Sequence, residues 1–206
     1  MTKCIFATGN KDKMKEIRMI LGDLQVEISS MKEEGISIDI VEDGTSFAEN
    51  ARIKADAVYA YIKAQRPEMD QCIVIADDSG LEIDALNKEP GIYSARYMGE
   101  DTSYHVKNQN LIDRLVGVPD EKRTARFVCA MAAVLPDGTK LDTAGVMEGR
   151  IGYEESGENG FGYDPIFILP EYGCSNSQLR PEEKNAVSHR GKALRAMRDV
   201  LIERGF

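Results

Sequence analysis

No CxxC pair occurs among the four cysteines, which stand tens of residues apart at positions 4, 72, 129 and 174. Thiolate zinc sites take closely spaced ligands, so this spacing argues against a structural zinc. Long apolar runs are missing too: none approaches the ~18 residues that a membrane-crossing helix needs. Positive charge is scarce, with 26 Lys and Arg against 35 Asp and Glu and a net charge of -9. So acidic a chain is a poor non-specific partner for a nucleic-acid polymer or an anionic membrane. An anionic ligand would need a local cluster of cations or a metal ion. The sequence holds neither a GxxxxGK[ST] phosphate loop nor a Ser-His-Asp order, and it has only two histidines. It shows no repeat, low-complexity tract or linker.

What is present is ordinary for a globular protein: 206 residues, 42% hydrophobic and 30% charged, enough for one domain with a sizeable core. Three of the cysteines lie in apolar, strand-like runs, where Cys acts as a small hydrophobe. Reduced thiols and a cytoplasmic location are expected from this usage. Lys11, Lys13 and Lys15 follow the first apolar run at once, so no signal peptide is expected.

The pattern alternates strands with helices. KCIFAT (3–8) reads as a buried strand, and KDKMKEIRMIL as an amphipathic helix on Met14, Ile17 and Leu21 that ends at Gly22. QVEISS is a second strand. A helix is expected from about Ser46 to Ala64 with Thr45 as its N-cap and Glu49 close behind. A third strand covers 72–77 and ends in Asp77 and Asp78, and LEIDAL begins a new segment that pairs back or crosses over. Residues 102–116 read as a helix, 123–135 and 139–151 as a hairpin around Pro136-Asp137-Gly138, and 181–205 as helix broken near Ser188. An α/β fold with a mixed sheet follows.

Five places carry chemistry. In ATGNKDK (7–13) a strand gives way to a helix through Gly9, so free N–H groups and the helix dipole could hold an anion beside Lys11 and Lys13; a plain Gly-Asn turn fits equally well. Lys54 lies in the middle of the apolar stripe of its helix, with Ala51, Val58 and Ile62, and must snorkel or meet an anion. Arg190 occupies the same kind of position on the stripe of Ala193, Met197 and Leu201. His189 beside it reads, from the residues alone, as a surface or capping group. Glu42, Asp43, Asp77 and Asp78 form two carboxylate pairs of the hard-oxygen type that suits Mg²⁺ with phosphates; an acidic Asp-Asp-Ser-Gly turn in solvent is the plainer alternative. In GFGYDPIF, Phe161 stands between Gly160 and Gly162, displayed for stacking on a base or packed inward in a turn.

TGNKDK, EDGTSFAENARIKA, IADDSGLEIDAL, PGIYSARY, GFGYDPIF and EEKNAVSHRGKAL, in that order from residue 7 to about 195, resemble the inosine/xanthosine triphosphate pyrophosphatases of the Ham1 type. The resemblance implies a long mixed β-sheet flanked by helices, a single two-lobed domain over 1–206 with a central nucleotide cleft, and a homodimer. It implies hydrolysis of ITP, dITP or XTP to the monophosphate and pyrophosphate with Mg²⁺. Carried onto this chain, Thr8, Gly9, Asn10, Lys11, Asp12 and Lys13 hold the triphosphate with Lys54 assisting. Glu42 and Asp78 position Mg²⁺ with Asp77 helping, and Asp78 is the general base. Ser79 contacts substrate, and Phe161, with Gly162, Tyr163 and Asp164, forms the base pocket. Lys184, His189 and Arg190 surround the purine. The rivals are a Maf-like pyrophosphatase, a sensor that binds triphosphates without hydrolysis, and a structural protein with an acidic surface.

Overall fold

The structure is a computed structural model that describes residues 2–22 and 24–206. Its elements are β1 (Thr2–Phe6), α1 (Lys11–Leu21), β2 (Val26–Ser30), α2 (Phe47–Gln65), β3 (Ile73–Ile83), α3 (Tyr104–Arg114), β4 (Thr124–Val134), β5 (Lys140–Ile151), β6 (Phe167–Leu169), β7 (Cys174–Ser175), α4 (Pro181–Val187) and α5 (His189–Glu203), with short 3₁₀ turns between them. The sheet has seven strands in the order β2-β1-β3-β4-β5-β6-β7. It is mixed: β1 runs parallel to β2 and β3, and β6 is antiparallel to β5 and β7.

Two compact units partition the chain. The first comprises Met1–Asp78, Cys129–Gly145 and Arg190–Phe206, and the second Ser79–Val128 and Val146–His189. In the first, strand residues alternate between two cores, as a two-residue period requires. Phe6, Ile73, Ile75 and Met131 pack with Met14, Ile17 and Leu21 of α1 and with Ala193, Leu194 and Met197 of α5. Ile5, Val74, Ala76 and Val134 pack with Ala51, Ala55, Val58 and Ile62 of α2. The second unit has one core, in which Leu111 and Ile112 of α3 and Leu115 just after it meet Leu81, Phe127, Tyr163 and Phe167.

Two sequence expectations need correction. The cap of α2 is Ser46, whose side chain accepts from the Glu49 N–H, while Thr45 instead donates its N–H and hydroxyl to the Glu49 carboxylate, at 2.6 and 2.7 Å. The pair satisfies orphan groups at the start of the helix from both directions. More consequentially, Asp77 and Asp78 do not end a strand. The chain continues through Ser79 and Gly80 to Ile83 as one strand of eleven residues, so LEI is its second half rather than a new segment. The turn preference of Asp-Asp-Ser-Gly gives way inside a long strand that pairs with β1 over Ile73–Ile75 and has β4 as its neighbour on the other side. The break at Ser188 is where it was expected: its backbone is extended (φ -65°, ψ 153°) between α4 and α5.

All four cysteines are free, and Cys4, Cys72 and Cys129 are buried. Burial is the main cause that lifts the thiol of Cys129 to about 12 and those of Cys4 and Cys72 above the ordinary range. Since the thiolate is the reactive species, Ellman's reagent should modify Cys174 within minutes in the native protein and the other three only after denaturation. Rapid release of more than one equivalent would contradict this packing. Among the described residues, no helix is long and apolar enough to cross a membrane.

Candidate functional site

The parity of β3 organises the first unit. Asp77 shares its side with Ile73 and Ile75, the side covered by α1 and α5. There its Oδ2 meets Lys13 Nζ at 2.9 Å and the Arg190 guanidinium at 3.3 Å. Arg190 also pairs with Glu16 of α1. Asp78 shares its side with Val74 and Ala76, the side covered by α2. There Lys54 Nζ lies 3.2 Å from Asp78 Oδ1 and 2.9 Å from Glu42 Oε2, and Asn50 Nδ2 lies 3.3 Å from Asp78 Oδ2. The pleat sends the adjacent carboxylates to opposite faces, where Asp77 pairs closely with Lys13 and Arg190 and Asp78 with Lys54.

The environments differ in consequence. Burial pushes the Asp77 carboxyl up, but the charges of Lys13, Arg190 and Lys54 together outweigh it and hold the pKa well below the usual range. Burial also pushes Asp78 up; Lys54 opposes this, Glu42 adds to it, and the net shift is upward. Lys54 is raised: desolvation works against its charge, and Asp78, Asp77 and Glu42 prevail. The two cations that stood on apolar stripes are buried as that position requires, Lys54 at 9% and Arg190 at 3% exposure, and both meet carboxylates.

The turn at the start of α1 is exposed at Gly9, Asn10, Lys11 and Asp12. Asn10 caps the helix, accepting from the N–H groups of Asp12 (2.9 Å) and Lys13 (3.1 Å), and Thr8 Oγ1 accepts from the Asn10 N–H at 3.1 Å. An anion here would compete with these side chains for the same donors. Asp43 is exposed.

In the second unit, Asp164 is the hub and is 3% exposed. Its Oδ2 accepts from Lys184 Nζ and from the Phe161 N–H, both at 2.9 Å, and its Oδ1 accepts from Asn176 Nδ2 at 2.7 Å. Lys184 Nζ also sits 4.8 Å from the centroid of the half-buried Phe161 ring. Gly160 has φ +81°, and a Cβ there would fall 2.3 Å from Asp164 Oδ2, so only glycine permits the hub. Gly162, with φ +70°, passes its carbonyl to Asn108 Nδ2 at 3.2 Å. Tyr163 is buried, donates its hydroxyl to the Ser94 carbonyl at 2.6 Å, and meets Tyr104 edge-on. His189 is not a surface group: it is buried and stacks on Phe127, with centroids 4.8 Å apart and planes at 11°. Ser79 follows Asp78 on β3 and is half-buried.

Lys184, His189, Phe161, Gly162, Tyr163, Asp164 and Ser79 belong to the second unit. Arg190, set beside the purine by resemblance, belongs to the first, together with Thr8 to Lys13, Glu42, Lys54, Asp77 and Asp78. Glu16, Asn50 and Asn176 escaped the sequence reading. Asn50 was within reach of it, standing one turn before Lys54 on the same helix face. Glu16 stands three residues after Lys13 on α1, a similar clue. Asn176, in a 3₁₀ turn, follows no periodicity.

Among the described residues, no three His, Cys, Asp or Glu side chains come together as a metal cage. Glu42 and Asp78 do converge on one cation, the Lys54 ammonium. Two carboxylates plus substrate phosphates is the donor set that Mg²⁺ commonly takes, so the pair fits such an ion. Asp77, on the other face, is engaged by Lys13 and Arg190.

Comparison with known proteins agrees with this arrangement of segments. The Ham1 family profile matches residues 4–200. A dITP/XTP pyrophosphatase of Clostridium perfringens is 46% identical over 201 residues, covering 98% of each chain. The Ham1 protein of Staphylococcus aureus superposes with a TM-score of 0.84 at 36% identity, over 98% of this chain and all of that one. A HAM1 protein from Coxiella burnetii does so with the same score at 38% identity and the same coverage.

Proposed function

The chain belongs to the Ham1 family, and from that premise we propose that it hydrolyses non-standard purine nucleoside triphosphates (ITP, dITP and XTP) to the monophosphate and pyrophosphate, clearing them from the nucleotide pool. The observation that carries the reading is the two-faced β3 strand. Asp77 holds Lys13 and Arg190 on one side, and Asp78 with Glu42 clasps Lys54 on the other.

In this reading the first unit handles the phosphates. Lys13 and Lys54 supply charge, with the Thr8-Gly9-Asn10 turn, Lys11 and Asp12 around the chain's end. Three cations (Lys13, Lys54, Arg190) face four carboxylates (Glu16, Glu42, Asp77, Asp78), so the cluster is already neutralised. A polyanion needs further positive charge to enter, which favours a divalent ion. Glu42 and Asp78 would hold Mg²⁺, with Asp77 fixing the cations behind it; the ion would screen the phosphates and polarise the phosphoryl group under attack. Asp78 takes a proton from the attacking water as its oxygen bonds to phosphorus. The α–β anhydride opens, and pyrophosphate leaves with the bridging oxygen's electron pair.

The second unit handles the base. The base stacks on Phe161, beside Lys184, with Gly162, Tyr163 and Asp164 shaping the loop and Ser79 touching the substrate. Lys184 and His189 direct donors at a 6-keto oxygen. Adenine offers an amino donor there, and donor facing donor costs about 1–3 kcal/mol per buried group, or roughly five- to 150-fold. The reading extends to a single catalytic domain acting as a homodimer in the cytoplasm, which the free thiols favour.

The test is pyrophosphate release from ITP, dITP, XTP, GTP, ATP and dUTP, with and without Mg²⁺. Release should be fast from the first three, at least about fivefold slower from ATP, and negligible without metal. Equal rates across the panel would remove the base-pocket roles. Tight ITP binding with no release would make the protein a sensor.

A further inference from the structure

Asn176 is fully buried (0% exposed) and its amide is used on one side only. Nδ2 donates to Asp164 Oδ1 at 2.7 Å, whereas Oδ1 has no hydrogen-bond partner. Turning the amide over would set oxygen against the carboxylate, so Asp164 fixes its orientation. An orphaned buried acceptor opposes folding, so half of this amide works against stability. The backbone around it is pinned. Ser175 Oγ donates to the Ser156 carbonyl at 2.6 Å, the Gln178 side chain accepts from the Ser175 N–H at 2.9 Å, and the Asn159 N–H donates to the Ser177 carbonyl at 2.9 Å. The amide therefore approaches Asp164 from a rigid mount.

We propose that Asn176 is a positioning residue of the base subsite. By occupying Oδ1 of Asp164 it stops the carboxylate from rotating, so that Oδ2 stays on both the Lys184 ammonium and the Phe161 N–H. Without it, Lys184 can draw both carboxylate oxygens to itself, and Phe161 loses the hydrogen bond that sets the plane of its ring. The inference rests on the base-subsite reading of Phe161 and Lys184. It assigns Asn176 to substrate selection and not to stability.

The test compares Asn176→Leu, which is similar in size and has no orphaned acceptor, with Asn176→Asp, which keeps the shape and loses the donor. Asn176→Leu removes the orphaned acceptor together with the donor to Asp164, two opposing effects, so its melting temperature should change little. Its KM for ITP should rise about tenfold with kcat within about twofold, and its preference for ITP over ATP should fall. Inhibition by inorganic pyrophosphate, which carries no base, should be unchanged. Asn176→Asp should lose selectivity at least as much. Unaltered KM and selectivity in either variant overturn the proposal. So does a fall in melting temperature with equal losses toward ITP and pyrophosphate, which marks a merely structural residue. Phe161→Ala separates the two levels. If it raises the KM for ITP while Asn176→Leu does not, only the role of Asn176 fails. If Phe161→Ala also leaves KM unchanged, the base-subsite reading fails with it.

Discussion

Asp78→Asn will lower kcat by about 10³-fold or more while the protein stays folded. General-base removal alone is worth about 10²–10⁴-fold, and the amide also weakens the carboxylate pair assigned to the metal. The fold should survive because Lys54 keeps Glu42 at 2.9 Å, so no buried ammonium is stranded. The change is also isosteric. The measurement is single-turnover pyrophosphate release from ITP beside a thermal melt. A variant within tenfold of the parent, with an unchanged melt, would remove Asp78 from the chemistry. A variant that unfolds would show that the pair is structural, a result the raised pKa of Asp78 argues against, since burial disfavours its charge.

Arg190→Met should give the largest loss of stability of any single change in the first unit. The guanidinium is 3% exposed and holds Asp77 and Glu16, and Asp77 is itself 3% exposed. Removing one member of a buried ion pair typically costs about 3–5 kcal/mol, because the remaining charge is stranded. For a chain of this size that lowers the melting temperature on the order of 10 °C. Lys13→Met should cost less, since that side chain is 18% exposed and water can enter. The loss is pH-dependent, and its sign follows from Asp77. Its pKa in the folded protein lies below the 3.8 of an ordinary aspartate. The ion pairs thus stabilise fully above about pH 4, and their contribution fades as acid protonates the folded carboxylate. Parent and variant should differ most near neutrality and converge in acid. A gap that widened in acid would refute the assignment.

Helical periodicity made Lys54 and Arg190 conspicuous before any coordinates, because a cation on an apolar stripe must be explained by a partner. The partner's identity was another matter. Asp-Asp-Ser-Gly has the composition of a turn, and nothing local says that it will continue a strand set beside β4. Once it is extended, the alternation of side chains decides that Asp77 goes to α1 and α5 and Asp78 to α2. His189 was misjudged for a similar reason: its neighbour in space, Phe127, stands far away in sequence. Phe161 was legible from its flanking glycines. The need for glycine at 160 was not, since it arises from the Asp164 carboxylate four residues on. Asn176 had no periodic context, and its role rests on an amide oxygen that no sequence pattern predicts.

The alternation in β3 also makes that strand behave as a reading frame. One residue inserted or deleted between Ile73 and Asp77 would exchange the partners of the two carboxylates and turn the apolar residues above them to the wrong cores. The Pro136-Asp137-Gly138 turn carries no such phase and can absorb a change in length. Variation in this protein should accordingly be free in the number of residues at its turns and, through the middle of β3, confined to their kind.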